Sequence, residues 1–540
     1  MKFLAPALAS LALVACGPTD TPVDSAIETP AEFMPNVLSG NIEAHIRFLA
    51  SDYLQGRDVG TDGYEIAANY VAAQMQLLGL EPAGDNGGYY AQVPLQDVRA
   101  DLDSAYLAID GIEAEIGLQA LIGSNPAVLE SEVTAPLVFV GYGVSAANRD
   151  HDDYADIDAA GKIVVVMNGV PDGFPTEERA HHISGRTKLE VAAAHGAVGM
   201  ISLTAWTEEQ VAGFAGNYFS LPAVQLTTAT GPSGYDAVTV SASVTADLGA
   251  SLFDDAPMSL ADVQAAMSAE DGASFPTFDL PHTVTMRQRT ISEPFTAPNV
   301  VGMLRGNDPA LADEVVVLTA HLDHIGSIHD AMRGRGACRS SDDADQICNG
   351  AVDNASGVAV MLETARAFIE QGTPRRSVLF VALAGEEKGL LGSEHFARNP
   401  TVPAEAMVAN VNLDMPVIVY EFDDVIAFGA DHSNLGPIAA RAAARMDIAV
   451  SPDPIPQQSL TGFSSPDPRW DEGEGFMGFL NTHYHRQTDQ LDGELEVLFE
   501  QGAKFANINY LIAREIADSD ERPAWNADSF FGNLYGDQSE

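Results

Sequence analysis

The hydrophobic pattern of this chain changes character along its length. From Asn299 onward three unbroken apolar runs appear, Val315–Ala320, Ser377–Leu383 and Met407–Leu413. Runs of that length without alternation predict strands buried on both faces, as in a mostly parallel sheet with helices on each side. Between the first two, Val358, Met361, Leu362, Ala365, Phe368 and Ile369 recur at helical spacing and predict an amphipathic helix ending near Gly372. Phe505, Ile508, Ile512 and Ile516 mark a closing helix. Upstream, Ile42–Leu78 reads as helix broken by a turn at Gly56–Gly60, its second half carrying a stripe of Ile66, Tyr70, Val71, Ala73, Leu77 and Leu78. An extended segment is expected at Tyr89–Leu95. From about Asn125 to Phe275 the runs shorten and turn β-like, at Pro136–Val140, Ile163–Met167 and Val238–Val244, with one helix–strand step at Lys188–Ala194 and Ala197–Leu203. This stretch reads as a separate domain inserted into an α/β chain.

Two features of the ends modify this picture. Lys2 precedes an apolar run, Phe3–Ala15, too short for a bilayer core of about 30 Å. It has the form of a secretory signal peptide, residues 1–15, and Leu13-Val14-Ala15-Cys16 resembles the bacterial lipobox, in which the Cys carries lipid. Residues 16–36 then read as a flexible tether, and residues 521–540 as a polar tail. Export into an oxidising compartment predicts a disulfide between Cys338 and Cys348, the two remaining cysteines. The expected location is therefore the cell envelope, with the chain anchored through lipidated Cys16.

Composition narrows the function. Asp and Glu number 77 and Lys and Arg 27, a net charge of −50 over 540 residues. Such a charge excludes nucleic acid as a partner. The 46% hydrophobic content excludes an acidic disordered chain. The Lys-poor acidic surface suits a salty, screening medium.

The chemistry gathers after the buried strands. His321-Leu322-Asp323-His324 follows the first, Glu386-Glu387 the second and Asp414 the third, while Asp353 precedes the helix that starts near Gly357. Ligands in open α/β sheets bind outside the carboxyl ends of strands. So many acids in one place require a cation, and imidazole with carboxylate suits zinc. His483-Tyr484-His485 supplies a late histidine.

These elements resemble the zinc aminopeptidase family that includes bacterial secreted leucine aminopeptidases and, more distantly, glutamate carboxypeptidase and the transferrin receptor. The matching motifs are HLD at His321–Asp323, DNASG at Asp353–Gly357, EE at Glu386–Glu387, DM at Asp414–Met415 and YH at Tyr484–His485. The insert resembles a protease-associated domain through Gly161–Val166 and Ala193–Ala197. The resemblance implies a mixed, mostly parallel central sheet flanked by helices and divided as follows: residues 37–124 and 276–520 catalytic, 125–275 the β-rich insert. It implies two Zn2+, bridged by Asp353, with His321 and Asp414 completing one site and Glu387 and His485 the other. Glu386 would be the general base, Asp323 would orient His321 through its second ring nitrogen, and Tyr484 would hydrogen-bond the developing oxyanion. His324, His329, His432 and His483 fall outside the implied ligand set, and Asp489 is open between a supporting and a purely structural role.

The implied activity is removal of N-terminal residues from peptides, with the insert limiting access. A carboxypeptidase or dipeptidase would need cations for a substrate carboxylate, for which Arg469 and Arg486 are the local candidates. A non-catalytic binding protein on this scaffold is the alternative from another class. One departure stands out: the Arg-Ser-Asp-x-x-x-Phe segment and following short strand usual in relatives have no counterpart between Asp453 and Gly462.

Overall fold

The structure is a computed structural model that describes residues 10–14, 35–227, 234–267, 276–329, 338, 344–452 and 475–536. It divides into two compact units. Those parts of residues 1–93 and 296–540 that are described build the first around one sheet. Its strands are β1 (Ser10–Val14), β2 (the Val300–Leu304 end of Phe278–Leu304), β3 (Val315–His321), β4 (Ser377–Leu383), β5 (Met407–Asn412), β6 (Asp424–Phe428) and β7 (Ala449–Ser451). Strands β4, β3 and β5 run parallel side by side; β2 adds antiparallel beside β4. β1 lies between β5, parallel to it, and β6, antiparallel to it, and β7 follows parallel to β6. Every residue of β3 and of β4 is buried, as unbroken apolar runs require of central strands.

Helices α3 (Gly357–Gln371) and α4 (Phe499–Asp518) lie against the sheet, α1 (Ser39–Leu49) packs on both, and α2 (Asp62–Leu77) packs on α3. Phe368 of α3 is wholly buried and meets Phe380 of β4 and Tyr510 of α4 edge-on, at centroid distances of 6.4 Å and 4.8 Å. The apolar stripe read for α2 is displaced. Tyr64, Ala67, Ala68, Val71 and Met75 face inward, while Ile66 and Leu77 are exposed, since small alanines rather than the largest side chains mark the packed side.

Three further segments are structured in ways the sequence reading did not specify. Ser10–Val14, read as part of a leader, is a strand of the sheet, because an extended segment there completes the backbone hydrogen bonding of two strand edges. The polar tail is in fact docked. Asn434 and Ala524 exchange backbone and side-chain hydrogen bonds, and Phe530 is buried in a short helix, Phe530–Tyr535, whose aromatic residues override the polar composition. The inserted unit is wider than 125–275, running over Pro94–Phe295, because Tyr106–Ile109 and Ala120–Ile122 pair within its sheet. Ile163–Met167, Gly199–Leu203 and Val240–Val244 form its parallel centre. Cys16 and the stretch 453–462 lie outside the described residues. Cys338 and Cys348 form the expected disulfide.

Phe368→Ala should destabilise the first unit by about 3–5 kcal/mol through the cavity it leaves. Urea unfolding followed by tryptophan fluorescence measures it, and a loss under 1 kcal/mol would contradict the packing described.

Candidate metal centre

β3 ends in His321, β4 leads into Glu386 and Glu387, and β5 leads into Asp414, so three parallel neighbours deliver their side chains to one edge of the sheet. The loop before α3 brings Asp353 between them. Its two carboxylate oxygens face opposite ways. Oδ1 is 3.2 Å from His321 Nε2, which also lies 3.1 Å from Asp414 Oδ1. Oδ2 is 3.3 Å from His485 Nε2 and 3.7 Å from His324 Nδ1. Both of those imidazoles also reach Glu387, His485 to Oε2 at 3.0 Å and His324 to Oε1 at 2.8 Å. Two donor clusters therefore share Asp353. His324, which the family pattern leaves out, stands inside the second; its place in His-Leu-Asp-His, three residues after a ligand, was the available signal.

The supports of this site are backbone contacts. Asp489 decides its open role here: its carboxylate accepts from the amides of Val352, at 2.8 Å, and Asp353, at 3.0 Å, fixing the loop that carries the shared acid. Asp323 does not orient His321 through its carboxylate. Its backbone carbonyl lies 3.1 Å from His321 Nδ1, and its carboxylate instead accepts the amides of Glu386 and Glu387, at 3.1 Å and 3.2 Å. A side chain buried two residues after the strand end points back beneath the neighbouring strand's loop, leaving the carbonyl to face the ring. Asn354 ties the same loop to β5, donating to Leu413 O and accepting from Met415 N.

Arg57 escaped the sequence reading, which took Gly56–Gly60 only as a turn. It is fully buried and donates to the carbonyls of Leu49, Leu322, Asn349 and Gly350. Burial lowers its pKa to about 10, against the pull of Asp353, Asp489, Asp323 and Glu387, so it stays charged. Lys388 adds a second buried cation, 2.7 Å from Asp58. His483, by contrast, faces Thr488 O, His432 lies beside Phe531, and His329 belongs to neither cluster. Arg469 is outside the described residues.

The electrostatics call for positive charge. Burial opposes ionisation of Asp353, yet His324, His321 and His485 hold its pKa well below the usual range. Glu387 is likewise held down to about 2: burial and Asp353 push up, His324 and His485 prevail. Burial lifts Glu386 to about 8, with Asp414, Glu387 and Asp323 adding to it and His321 opposing. Burial disfavours the charged form of His485, but Asp353 and Glu387 raise it to about 10. Protonated imidazoles are one source of that charge, yet His485 Nε2 is left without a hydrogen-bond partner. A divalent ion supplies it with the rings neutral. Ligands about 2.0–2.1 Å from one tetrahedral zinc stand about 3.3 Å apart, close to the separations of 2.8–3.7 Å found around Asp353. The donor set fits zinc.

Tyr484 stacks on His485, with centroids 3.8 Å apart, and burial among these acids raises its pKa, so its hydroxyl remains a donor. His485 holds φ +57°, a left-handed conformation rare for a side-chain-bearing residue.

Known proteins similar to this chain include zinc peptidases. Residues 299–497 match peptidase family M28 and residues 133–233 match the PA domain. A probable zinc metalloprotease of Pyrenophora tritici-repentis is 48% identical over 66 residues, which are 12% of this chain and 15% of that protein. Another, from Phaeosphaeria nodorum, is 34% identical over 124 residues, 23% of this chain and 24% of that protein. The chain thus spans less than a quarter of the length of these curated relatives. An aminopeptidase from Aneurinibacillus sp. strain AM-1 aligns over 90% of this chain and 96% of its own, at 19% identity and a TM-score of 0.46. A zinc aminopeptidase from Bacillus subtilis aligns over 91% and 97%, at 17% identity and a TM-score of 0.40.

Asp489→Ala frees the amides of Val352 and Asp353 and should weaken zinc binding about 10–100-fold, the usual cost of losing such a support. Competition with a chromophoric chelator reads this directly; unchanged affinity would show that the loop holds Asp353 without Asp489.

Proposed function

We propose that this chain, which belongs to peptidase family M28 through its residues 299–497, is an exported aminopeptidase that uses two zinc ions. The observation that carries the reading is the position of Asp353. One oxygen faces His321, beside Asp414, and the other faces His485, beside Glu387, as a carboxylate shared by two ions must. Zinc, when bound, supplies Lewis acidity that polarises the scissile carbonyl and makes water more acidic.

The chain's own residues do the rest. Glu386 Oε2 lies 3.9 Å from His321 Nε2, at the rim of the cluster, and its side chain is 27% exposed. It reaches the pocket without being among the closest donors to Asp353. Such a carboxylate can take the proton of the attacking water and pass it to the leaving amine. The hydroxyl of Tyr484, kept protonated by burial among these acids, is the proposed donor to the oxyanion. Asp323 fixes the backbone of Glu386 and Glu387, so base and ligand move as one piece.

The acidic lining favours a positively charged substrate N-terminus, which supports aminopeptidase over carboxypeptidase action. Arg57 is fully buried and donates to backbone carbonyls, unable to meet a substrate carboxylate. Export and anchoring through Cys16 belong to the same proposal. A cut before Cys16 removes Ser10–Val14, and with it strand β1.

Two outcomes follow. Glu386→Gln should retain its zinc and lower kcat on aminoacyl p-nitroanilides by about 10²–10⁴, while a chelator abolishes turnover and zinc restores it. Normal turnover by this variant removes Glu386 as the base, and no turnover on any aminoacyl substrate by the zinc-loaded protein sinks the aminopeptidase reading. Mass spectrometry of the N-terminus should find a lipid-modified Cys16 as first residue; an intact chain that retains Ser10–Val14 overturns the anchoring.

A further inference from the structure

We propose that the second metal position is closed by four side chains, with His324 as the fourth, and that the position at His321, Asp353 and Asp414 is the one that stays open to water and substrate. The inference rests on the two-zinc reading above.

His324 sits three residues beyond His321, past the end of β3, and is completely buried. Its Nδ1 faces two carboxylates, at 2.8 Å from Glu387 and 3.7 Å from Asp353. His485 addresses the same two residues at 3.0 Å and 3.3 Å. The two imidazoles lie 5.9 Å apart between centroids, with planes inclined at 69°, so neither stacks on the other and both direct a nitrogen at the carboxylate pair. Two nitrogens that address the same two carboxylates supply the four groups that a closed tetrahedral zinc set requires.

A single hydrogen bond from Nδ1 to Glu387 accounts for one of the two carboxylates that the ring faces, whereas an ion held between them accounts for both. The chain also fixes the ring firmly. Gly350 has φ +61°, and a Cβ there would stand 2.6 Å from Cδ2 and Cγ of His324. The close approach therefore demands glycine at that position and blocks the ring from swinging away. The His324 amide in turn donates to Arg57 O.

The first position differs. Three side chains form it against four in the second, each position having one partly exposed member, Asp414 at 34% and His485 at 35%. Glu386, the base, lies on the His321 side. Closed sets characterise structural zinc and open ones catalytic zinc. The two ions accordingly divide the work: the second organises Asp353 and Glu387, and the first meets water.

The wild-type protein loaded with two zinc equivalents tests this without any variant. X-ray absorption at the zinc edge should report three imidazoles over two ions, 1.5 per zinc, where His321 and His485 alone give 1.0. His324→Ala, titrated with zinc and analysed for metal content after dialysis, should keep one equivalent and bind the other at least 100-fold more weakly. One imidazole per zinc in the wild type, or two zincs held with unchanged affinity by the variant, overturns the assignment. A wild-type protein that binds only one zinc, or none, overturns the two-zinc reading itself.

Discussion

Carboxylate crowding around Asp353 is the constraint on which the rest of the first unit depends. Asp323, Asp353 and Asp489 are buried, the Glu387 side chain is 4% exposed, and Glu386 and Asp414 stand at the rim. Two like charges about 4 Å apart repel by about 4 kcal/mol at an effective dielectric near 20. Such an array persists only if each acid has an assigned compensation. Asp489 and Asp323 are held by backbone amides, Asp58 by Lys388, and the interior as a whole by the Arg57 guanidinium. Asp353, Glu387 and Asp414 face imidazoles, the arrangement in which metal binding and folding stability become one quantity.

The sheet makes this array possible. β3, β4 and β5 are parallel and adjacent, so their carboxyl ends coincide, and residues far apart in sequence arrive within a few ångströms. Helix α3, packed through Phe368, sets the height of the Asp353 loop, and Asn354 locks that loop to the end of β5. Core packing and site geometry are thus the same structure seen at two depths.

Much of this was legible in the sequence, for a definite reason. Buried parallel strands leave unbroken apolar runs, and the acids and histidines stand immediately after them; Ser377–Leu383 was bounded to the residue, and Val315–Ala320 and Met407–Leu413 to within one. What escaped was whatever depends on partners distant in sequence. Arg57 reads as one residue of a turn, because its four carbonyl partners lie in segments that a linear pattern cannot bring together. The role of Asp323 was inverted, since spacing alone does not reveal whether a carbonyl or a carboxylate meets the ring. The stripe on α2 was misplaced because alanines share its packed face while the larger Ile66 and Leu77 are exposed. The aromatic residues after Asp520 were hidden by the polar composition around them.

Arg57 carries one more consequence. The region that matches the peptidase family begins at residue 299 and ends at 497. Arg57 lies well before it, and α4, whose Tyr510 meets Phe368, lies after it. The side chain of Asn349 likewise reaches back to Ala50 and Asp52. A polypeptide excised at the family limits would keep every proposed metal ligand and lose the cation that holds their carbonyl framework together. The boundary of recognisable ancestry and the boundary of electrostatic self-sufficiency do not coincide, and the second is the longer.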